Sequence, residues 1–571
     1  MTSVIDTTDP KEAWRKGLSG LLDFACATHA RAIACLIVLS IVAFLPGFAK
    51  MPVMDRDEAR YAQATKQMLA TGDFVDIRFQ NEVRYKKPVG IYWMQAISVS
   101  AYKALGRRNV ETRISAYRMP SLIGAIGAVL LTYWAALAFI SRRAAMLAAV
   151  MMAASILLGA EARLAKTDAM LLATCIAAMG VMARVYLGRT EGWPGWHGRF
   201  LMPLVFWGAL GLGVLIKGPL ILLFVGLPAL TLSILDRSVR WMAGLKPLIG
   251  IAIFLAIVLP WFVAIWGRSG AAFFAQSAGD DLLSKIFSGQ ESHGAPPGYY
   301  FILFFLTFWP AALLAGLATP AVWRARREPP IKFLLAWIVP AWIVFELVMT
   351  KLPHYVLPLY PAIAILLAGC IDTKRLGTTR WMEWGTFWWF AVPAFAMIAA
   401  LTLSLGYEAD FAWRAWPFMT AAIIFGFRAW WLYDVDGAER AILRSSAASI
   451  LLAAAMYWSV IPGLVSLFPS HAVSHAVRST DCVAYQVASV SFREPSLVFL
   501  VGTDTRFVDA VGAADFLAAS PCRFAVVDTA QDRTFARRAE IIGLRYRRIA
   551  EFKGMSLGSG SRVSFAVYSS R

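Results

Sequence analysis

Between residues 54 and 95 the chain reads MDRDEARYAQATKQMLATGDFVDIRFQNEVRYKKPVGIYWMQ, a stretch richer in ionisable side chains than any comparable window among the hydrophobic spans. Asp55 followed three residues later by Glu58 is a capping-box pattern, which predicts a helix N-terminus with Asp57 in its first turn. Arg60 and Tyr61 follow on the same face, because residues three and four apart are neighbours on a helix. Thr71-Gly72-Asp73 supplies the stop, and Arg84-Tyr85-Lys86-Lys87-Pro88 gathers three cations before the next apolar run. An acid beside cations suits chemistry at a phosphate. The cations stabilise charge that develops on a leaving phosphate, and the carboxylate serves as general base or steadies an electron-poor centre.

Further ionisable residues stand at the ends of apolar runs: Glu161-Ala-Arg163-Leu-Ala-Lys166-Thr-Asp168, Lys217-Gly218-Pro219, the loop from Arg268 to Gly298 with His293, and Lys351-Leu-Pro-His354-Tyr355. The elements that must carry them are membrane helices. With 59% hydrophobic and 16% charged residues over 571 positions, the chain is a polytopic membrane protein rather than a soluble domain. Apolar stretches long enough to cross occur near 31–49, 117–140, 144–160, 167–187, 199–215, 219–236, 245–266, 299–320, 331–350, 354–371, 385–405, 416–433 and 447–467, about 13 in all. The net charge of +19 lies in short loops between these stretches, where topology and anionic headgroups account for it, so nucleic acid is not an expected partner.

Positive-inside phasing orders the loops. With residues 1–30 as a cytoplasmic segment, Arg142 and Arg143, Arg237 and Arg240, Arg324 to Arg327, Lys374 and Arg375, and Arg440 and Arg444 all fall on the inner side. Merging the closely spaced spans around Lys217 or Lys351 would invert every later loop. Asp57, Lys87, Asp168, Lys217 and Lys351 then share the outer face, within a membrane region 31–467 whose first outer loop is 50–116. No signal peptide of the usual pattern precedes the first span, which is expected to be retained. Residues 468–571 read as an outer α/β domain, with SLVFLVG and RFAVVDT as strands, VDAVGAADFLAAS and TFARRAEIIGL as helices, and RYRRIAEF with SRVSFAVYSS as a hairpin. Cys482 and Cys522 are the two cysteines of that domain, and an oxidising compartment predicts a disulfide between them.

DEARYA at Asp57, QMLATGDF at Gln67, RYKKPVGIYW at Arg84, TDAMLL at Thr167, KGP at Lys217, LPW at Leu259, HGAPPGYY at His293 and KLPHYVLPLYP at Lys351 occur in one order along the membrane region. Together they resemble the aminoarabinose transferase branch of the GT-C integral membrane glycosyltransferases, a family related to protein O-mannosyltransferases. The resemblance implies an all-α polytopic GT-C fold with a small C-terminal α/β domain, placed in a bacterial inner membrane with the active face periplasmic. It implies transfer of a sugar from a polyprenyl-phosphate donor to a lipid A or other envelope acceptor, inverting the anomeric centre if displacement is direct. Carried over by motif, Asp57 and Asp168 are the catalytic acids. Arg60, Tyr61, Lys87, Arg163, Lys217, His293, Lys351 and Tyr355 line the donor phosphate or the sugar. One position departs from the family: Lys86 stands where aminoarabinose transferases carry an acid, so no obligatory divalent ion is expected there, although the family leaves room for a metal. A protein O-mannosyltransferase-like activity is the alternative within the class. A transporter, the rival class, would place ionisable residues near the midplane and show an internal repeat.

Overall fold

In hydrocarbon every backbone N–H and C=O must find its partner within the segment, so the apolar stretches fold as helices. The computed structural model describes residues 17–188, 196–277, 279, 294–379, 383–406, 411–482, 484–558 and 560–570. Each stretch expected to cross the membrane overlaps a described helix or a pair of helices. Length and apolarity alone qualify 8 of the described helices as spans, or up to 9 if the bent pair Tyr299–Thr307 and Ala312–Arg324 is one span. His29–Phe44 and Leu220–Leu235 are apolar but shorter. The two closely spaced pairs are separate helices. Trp196–Lys217 ends before Leu220–Leu235 through Gly218, whose φ of 71° is left-handed, and Pro329–Leu347 is broken from Tyr360–Asp372 by the 3₁₀ turn Pro353–Leu359.

The loop expected on the outer face is itself structured, with helices Asp57–Thr71, referred to as the outer helix, and Gly90–Ala104 flanking a short hairpin of Arg78–Phe79 and Glu82–Val83. Gly72 ends the first helix in left-handed conformation, as the Thr-Gly-Asp stop predicts. The expected capping box does not form. Arg56 is the N-cap, at φ 65°, and makes no side-chain cap, while Glu58 accepts from the Met54 N–H at 2.8 Å and faces inward. Burial decides this: Glu58 forms a two-pronged pair with Arg118, both contacts at 2.8 Å, with the side chains 1% and 0% exposed. Arg118 also donates to the carbonyls of Phe48, Met51 and Pro52, and Glu58 accepts from the Ala165 N–H. The outer helix is thereby tied to the membrane bundle beside the Glu161–Asp168 run.

The C-terminal region builds a five-stranded sheet in the order Arg506–Phe507, Gln486–Ser489, Arg523–Asp528, Arg562–Ser570, Tyr546–Met555. The first three strands are parallel and the last two form the expected antiparallel hairpin. Side chains alternate between two cores along the Arg523–Asp528 strand, Phe524 and Val526 toward one, Ala525 and Val527 toward the other. SLVFLVG is not a strand. Pro495 opens it as helix Pro495–Val501, apolar on all sides because it lies between the sheet and the outer helix. Cys482 and Cys522 are joined by a disulfide, as expected.

Helix Pro495–Val501 and the turn after it fasten the sheet to the outer loop. Lys66 Nζ donates to the Phe499 carbonyl at 3.0 Å, Gln63 Nε2 to Thr503 Oγ1 at 2.8 Å, and the Ser496 N–H to Asp55 at 3.0 Å. Tyr117 meets Phe499 edge to face at 5.2 Å.

Candidate active site

Three helix ends meet below the outer helix. Asp168 opens Asp168–Tyr186 and Lys217 closes Trp196–Lys217, so each charge sits at the helix terminus whose dipole favours it. Both are buried, and the Lys217 ammonium donates to Asp168 Oδ1. Lys166 Nζ lies 3.6 Å from Asp168 Oδ2 and 3.1 Å from Glu161 Oε1. His354, from the 3₁₀ turn, places Nε2 3.6 Å from Asp168 and Nδ1 3.6 Å from Glu161. Asp168 is thus held by two ammonium groups and an imidazole.

Asp57 is different. Its side chain is 51% exposed, with the Arg84 guanidinium 3.9 Å away, and Arg84 also lies over the Tyr61 ring at 5.3 Å. Asp57, Tyr61, Lys86, Lys87, Lys166, Asp168, Lys217, His354 and Tyr355 all line one cavity of about 460 Å³. Most of its remaining wall is apolar, built from Leu220, Leu222 and Leu223, from Phe254 and Phe262, from Phe273 and Phe274, and from Val344, Phe345 and Val348. A cation-rich end that opens into a hydrocarbon-lined groove between helices can take an amphiphile with an anionic head.

Six of the ten residues expected at the site, Asp57, Tyr61, Lys87, Asp168, Lys217 and Tyr355, share this cavity. Three of the others do not line it. Arg60 turns to a separate cleft against the C-terminal sheet. Arg163 is buried and donates to the carbonyls of Pro46 at 2.9 Å, Gly159 at 2.6 Å and Ala43 at 2.5 Å, joining the end of His29–Phe44 to its own preceding turn. Lys351 points its ammonium at the carbonyls of Val348 at 2.6 Å and Glu346 at 2.9 Å, the orphan acceptors at the end of Pro329–Leu347. His293 lies outside the described residues. Lys86, Arg84, Glu161, Lys166 and His354 also join the site; the sequence placed them in its charged runs but gave them no role there. All five stand inside the charged runs around the expected residues, where ionisable type and adjacency were their sequence signal.

Glu161, Asp168 and His354 could offer one metal-ligand atom each within 4.8 Å of one another. The donor set does not suit a resident divalent ion, because the ammonium groups of Lys166 and Lys217 already sit on both carboxylates and would oppose a second cation.

A dolichyl-phosphate-mannose-protein mannosyltransferase family model matches residues 31–269. The undecaprenyl phosphate-alpha-4-amino-4-deoxy-L-arabinose arabinosyl transferase of Pectobacterium carotovorum is 30% identical over 55% of this chain and 54% of its own length. The transferase of the same description from Pseudomonas aeruginosa is 26% identical over 73% of this chain and 72% of its own. The chain thus spans about half the length of the first of these relatives and somewhat over two thirds of the second. Among solved structures, ArnT from Cupriavidus metallidurans, in a crystal with undecaprenyl phosphate, superposes with a TM-score of 0.74 at 18% identity, over 94% of this chain and 98% of that one. The archaeal oligosaccharyltransferase of Archaeoglobus fulgidus superposes with a TM-score of 0.52.

Fold and helix-end site define a multi-pass membrane protein with the GT-C architecture. Within that class the chain is similar to the aminoarabinose transferases over part of its length.

Proposed function

We propose that this protein is a glycosyltransferase that moves a sugar from a polyprenyl-phosphate donor to a lipid A-type envelope acceptor at the outer face of a bacterial inner membrane. The observation that carries the reading is the single cavity that joins Asp57, Lys86, Lys87 and Lys217 to an apolar groove. The prenyl tail occupies the groove, and the lysines neutralise its phosphate as charge develops there on bond cleavage. Asp57, the accessible acid, acts at the reacting centre: it accepts the proton of a hydroxyl acceptor, or positions and stabilises the centre when the acceptor is already an anion. Asp168, locked by Lys166, Lys217 and His354, orients those cations. The reading takes residues 31–467 as the catalytic membrane domain and 468–571 as a periplasmic domain, with the N-terminus cytoplasmic.

Transfer and lipid-binding assays on purified variants test it. Asp57→Asn keeps the size and hydrogen bonding of the side chain but removes its charge and basicity. Turnover is expected to fall about 10²-fold or more while polyprenyl phosphate still binds. Lys87→Ala is expected to weaken polyprenyl-phosphate binding itself, since that contact exists before reaction. Wild-type turnover in Asp57→Asn would remove it from the reaction.

A further inference from the structure

A second cavity, of about 490 Å³, lies between the start of the outer helix and the C-terminal sheet. Arg56, Arg60 and Arg493 line it, together with Ser491, Glu494, Asp528 and Ser564. Three guanidinium groups supply forked donors that match phosphate oxygens. Serine hydroxyls and a carboxylate, in turn, match the hydroxyls of a saccharide.

The cleft's position in the sheet is the one at which open α/β sheets bind ligands. The Gln486–Ser489 strand is flanked by its successor Arg506–Phe507 on one side and by Arg523–Asp528 on the other, all parallel. The chain therefore leaves the central strand in one direction and returns on the opposite side. This makes a topological switch point at the carboxyl ends of Gln486–Ser489 and Arg523–Asp528. Ser491 follows the first of these ends and Asp528 is the second, and both line the cleft. A nucleotide is a poor match, because Phe492 and Phe565, the aromatic side chains there, are only 6% and 1% exposed and offer no open stacking face.

Arg56 and Arg60 immediately precede Asp57 and Tyr61, which line the transfer cavity. The two cavities thus flank the first turns of one helix, whose diameter with side chains is about 10–12 Å. Arg56 and Ser491 both hold left-handed φ, 65° and 66°, a conformation that L-residues with side chains adopt at a cost. The Arg56 guanidinium donates to the Gly558 carbonyl, and the Ser556 hydroxyl to Glu494, so the hairpin end and the outer helix share one polar network at the cleft.

We propose that this cleft is the acceptor site: it binds a phosphorylated saccharide headgroup, phosphate on the arginines and hydroxyls on Ser491, Asp528 and Ser564, with the receiving group directed past the helix start toward Asp57. The assignment to the acceptor rests on the transferase reading; the saccharide-phosphate binding does not.

The test is binding to the full-length protein in nanodiscs, with three probes: a glucosamine disaccharide bisphosphate, the same disaccharide without phosphate, and inorganic phosphate. The bisphosphate is expected to bind at least tenfold more tightly than either of the others. Arg493→Gln, at an exposed position, is expected to weaken it about tenfold, and Arg493→Lys to restore part of the loss. Polyprenyl-phosphate binding should not change in Arg493→Gln, which separates this cleft from the donor cavity. Equal affinity in wild type and Arg493→Gln overturns the proposal, and so does inorganic phosphate binding as tightly as the bisphosphate. If the disaccharide results hold while the wild-type protein transfers no sugar from a polyprenyl-phosphate donor to that acceptor, the transferase reading fails and the cleft stands as a saccharide-phosphate site.

Discussion

Replacing Arg118 by Met should detach the outer helix from the membrane bundle. Arg118 is fully buried and carries five contacts: two to Glu58 and one each to the carbonyls of Phe48, Met51 and Pro52. Methionine keeps an unbranched apolar stem as far as the position of Nε and removes every donor, which leaves Glu58 as a buried charge with only the Met54 and Ala165 N–H groups. Breaking one half of such a pair costs about 3–5 kcal/mol. If that energy is lost from local opening, amides of Asp57–Thr71 should exchange roughly 10²- to 10⁴-fold faster. Hydrogen exchange with mass spectrometry on the protein in nanodiscs reads this directly. The double variant Glu58→Met with Arg118→Met removes both charges and should recover much of the protection, since an apolar pair in the same volume leaves no buried charge. Transfer should track the exchange result, because Asp57 heads the same helix. Exchange in Arg118→Met within threefold of wild type would refute the anchoring role.

The junction between outer loop and sheet should respond to pH through Asp55, whose carboxyl is pushed up from 3.8 to about 7, chiefly by burial and then by the Glu494 charge. The folded state keeps a proton that the unfolded chain releases near pH 4, so this contact is firmest in acid and weakens as pH rises toward about 7. Exchange at residues 495–501, corrected for its intrinsic pH dependence, should therefore increase between pH 5 and 7; Asp55→Asn should flatten the profile, and an unchanged profile in that variant would refute the assignment. Reducing the Cys482–Cys522 disulfide reopens a loop of 40 residues and should cost the sheet roughly 3–4 kcal/mol, visible as a lower denaturant midpoint for the C-terminal region than in the oxidised protein. A reporter fused after Arg571 should be active only outside the cytoplasm, and strong cytoplasmic activity would invert the proposed orientation.

The membrane architecture was legible from composition and charge phase, because hydrocarbon imposes one constraint on every residue of a span. The breaks around Lys217 and Lys351 were legible from the same charge phase, because merging either pair would invert every later loop. SLVFLVG misled, since a short apolar run carries no period that separates a buried strand from a buried helix, and only the sheet and outer helix packed on either side of it decide which forms.

At the site, sequence placed Asp57, Asp168, Lys87, Lys217 and Tyr355 by motif, and the structure gathers them in one cavity. It could not say where long side chains end. Arg60 is one turn from Asp57 yet enters the other cleft, Lys351 folds back on its own helix end, and Arg163 binds three carbonyls of the bundle. Charge type and helix position are properties of the chain. Which anion or carbonyl a lysine or arginine reaches depends on what lies within several ångströms of its Cα after packing, and in this protein those partners range from the residue's own helix end, as for Lys351, to segments more than a hundred residues away, as for Arg163 and Pro46. The sequence therefore determined the membrane class, the helix ends and the chemical types available at them. The tertiary structure alone decided which of those groups face a shared cavity, which serve as structural caps, and that a second polar cleft opens on the far side of the same helix.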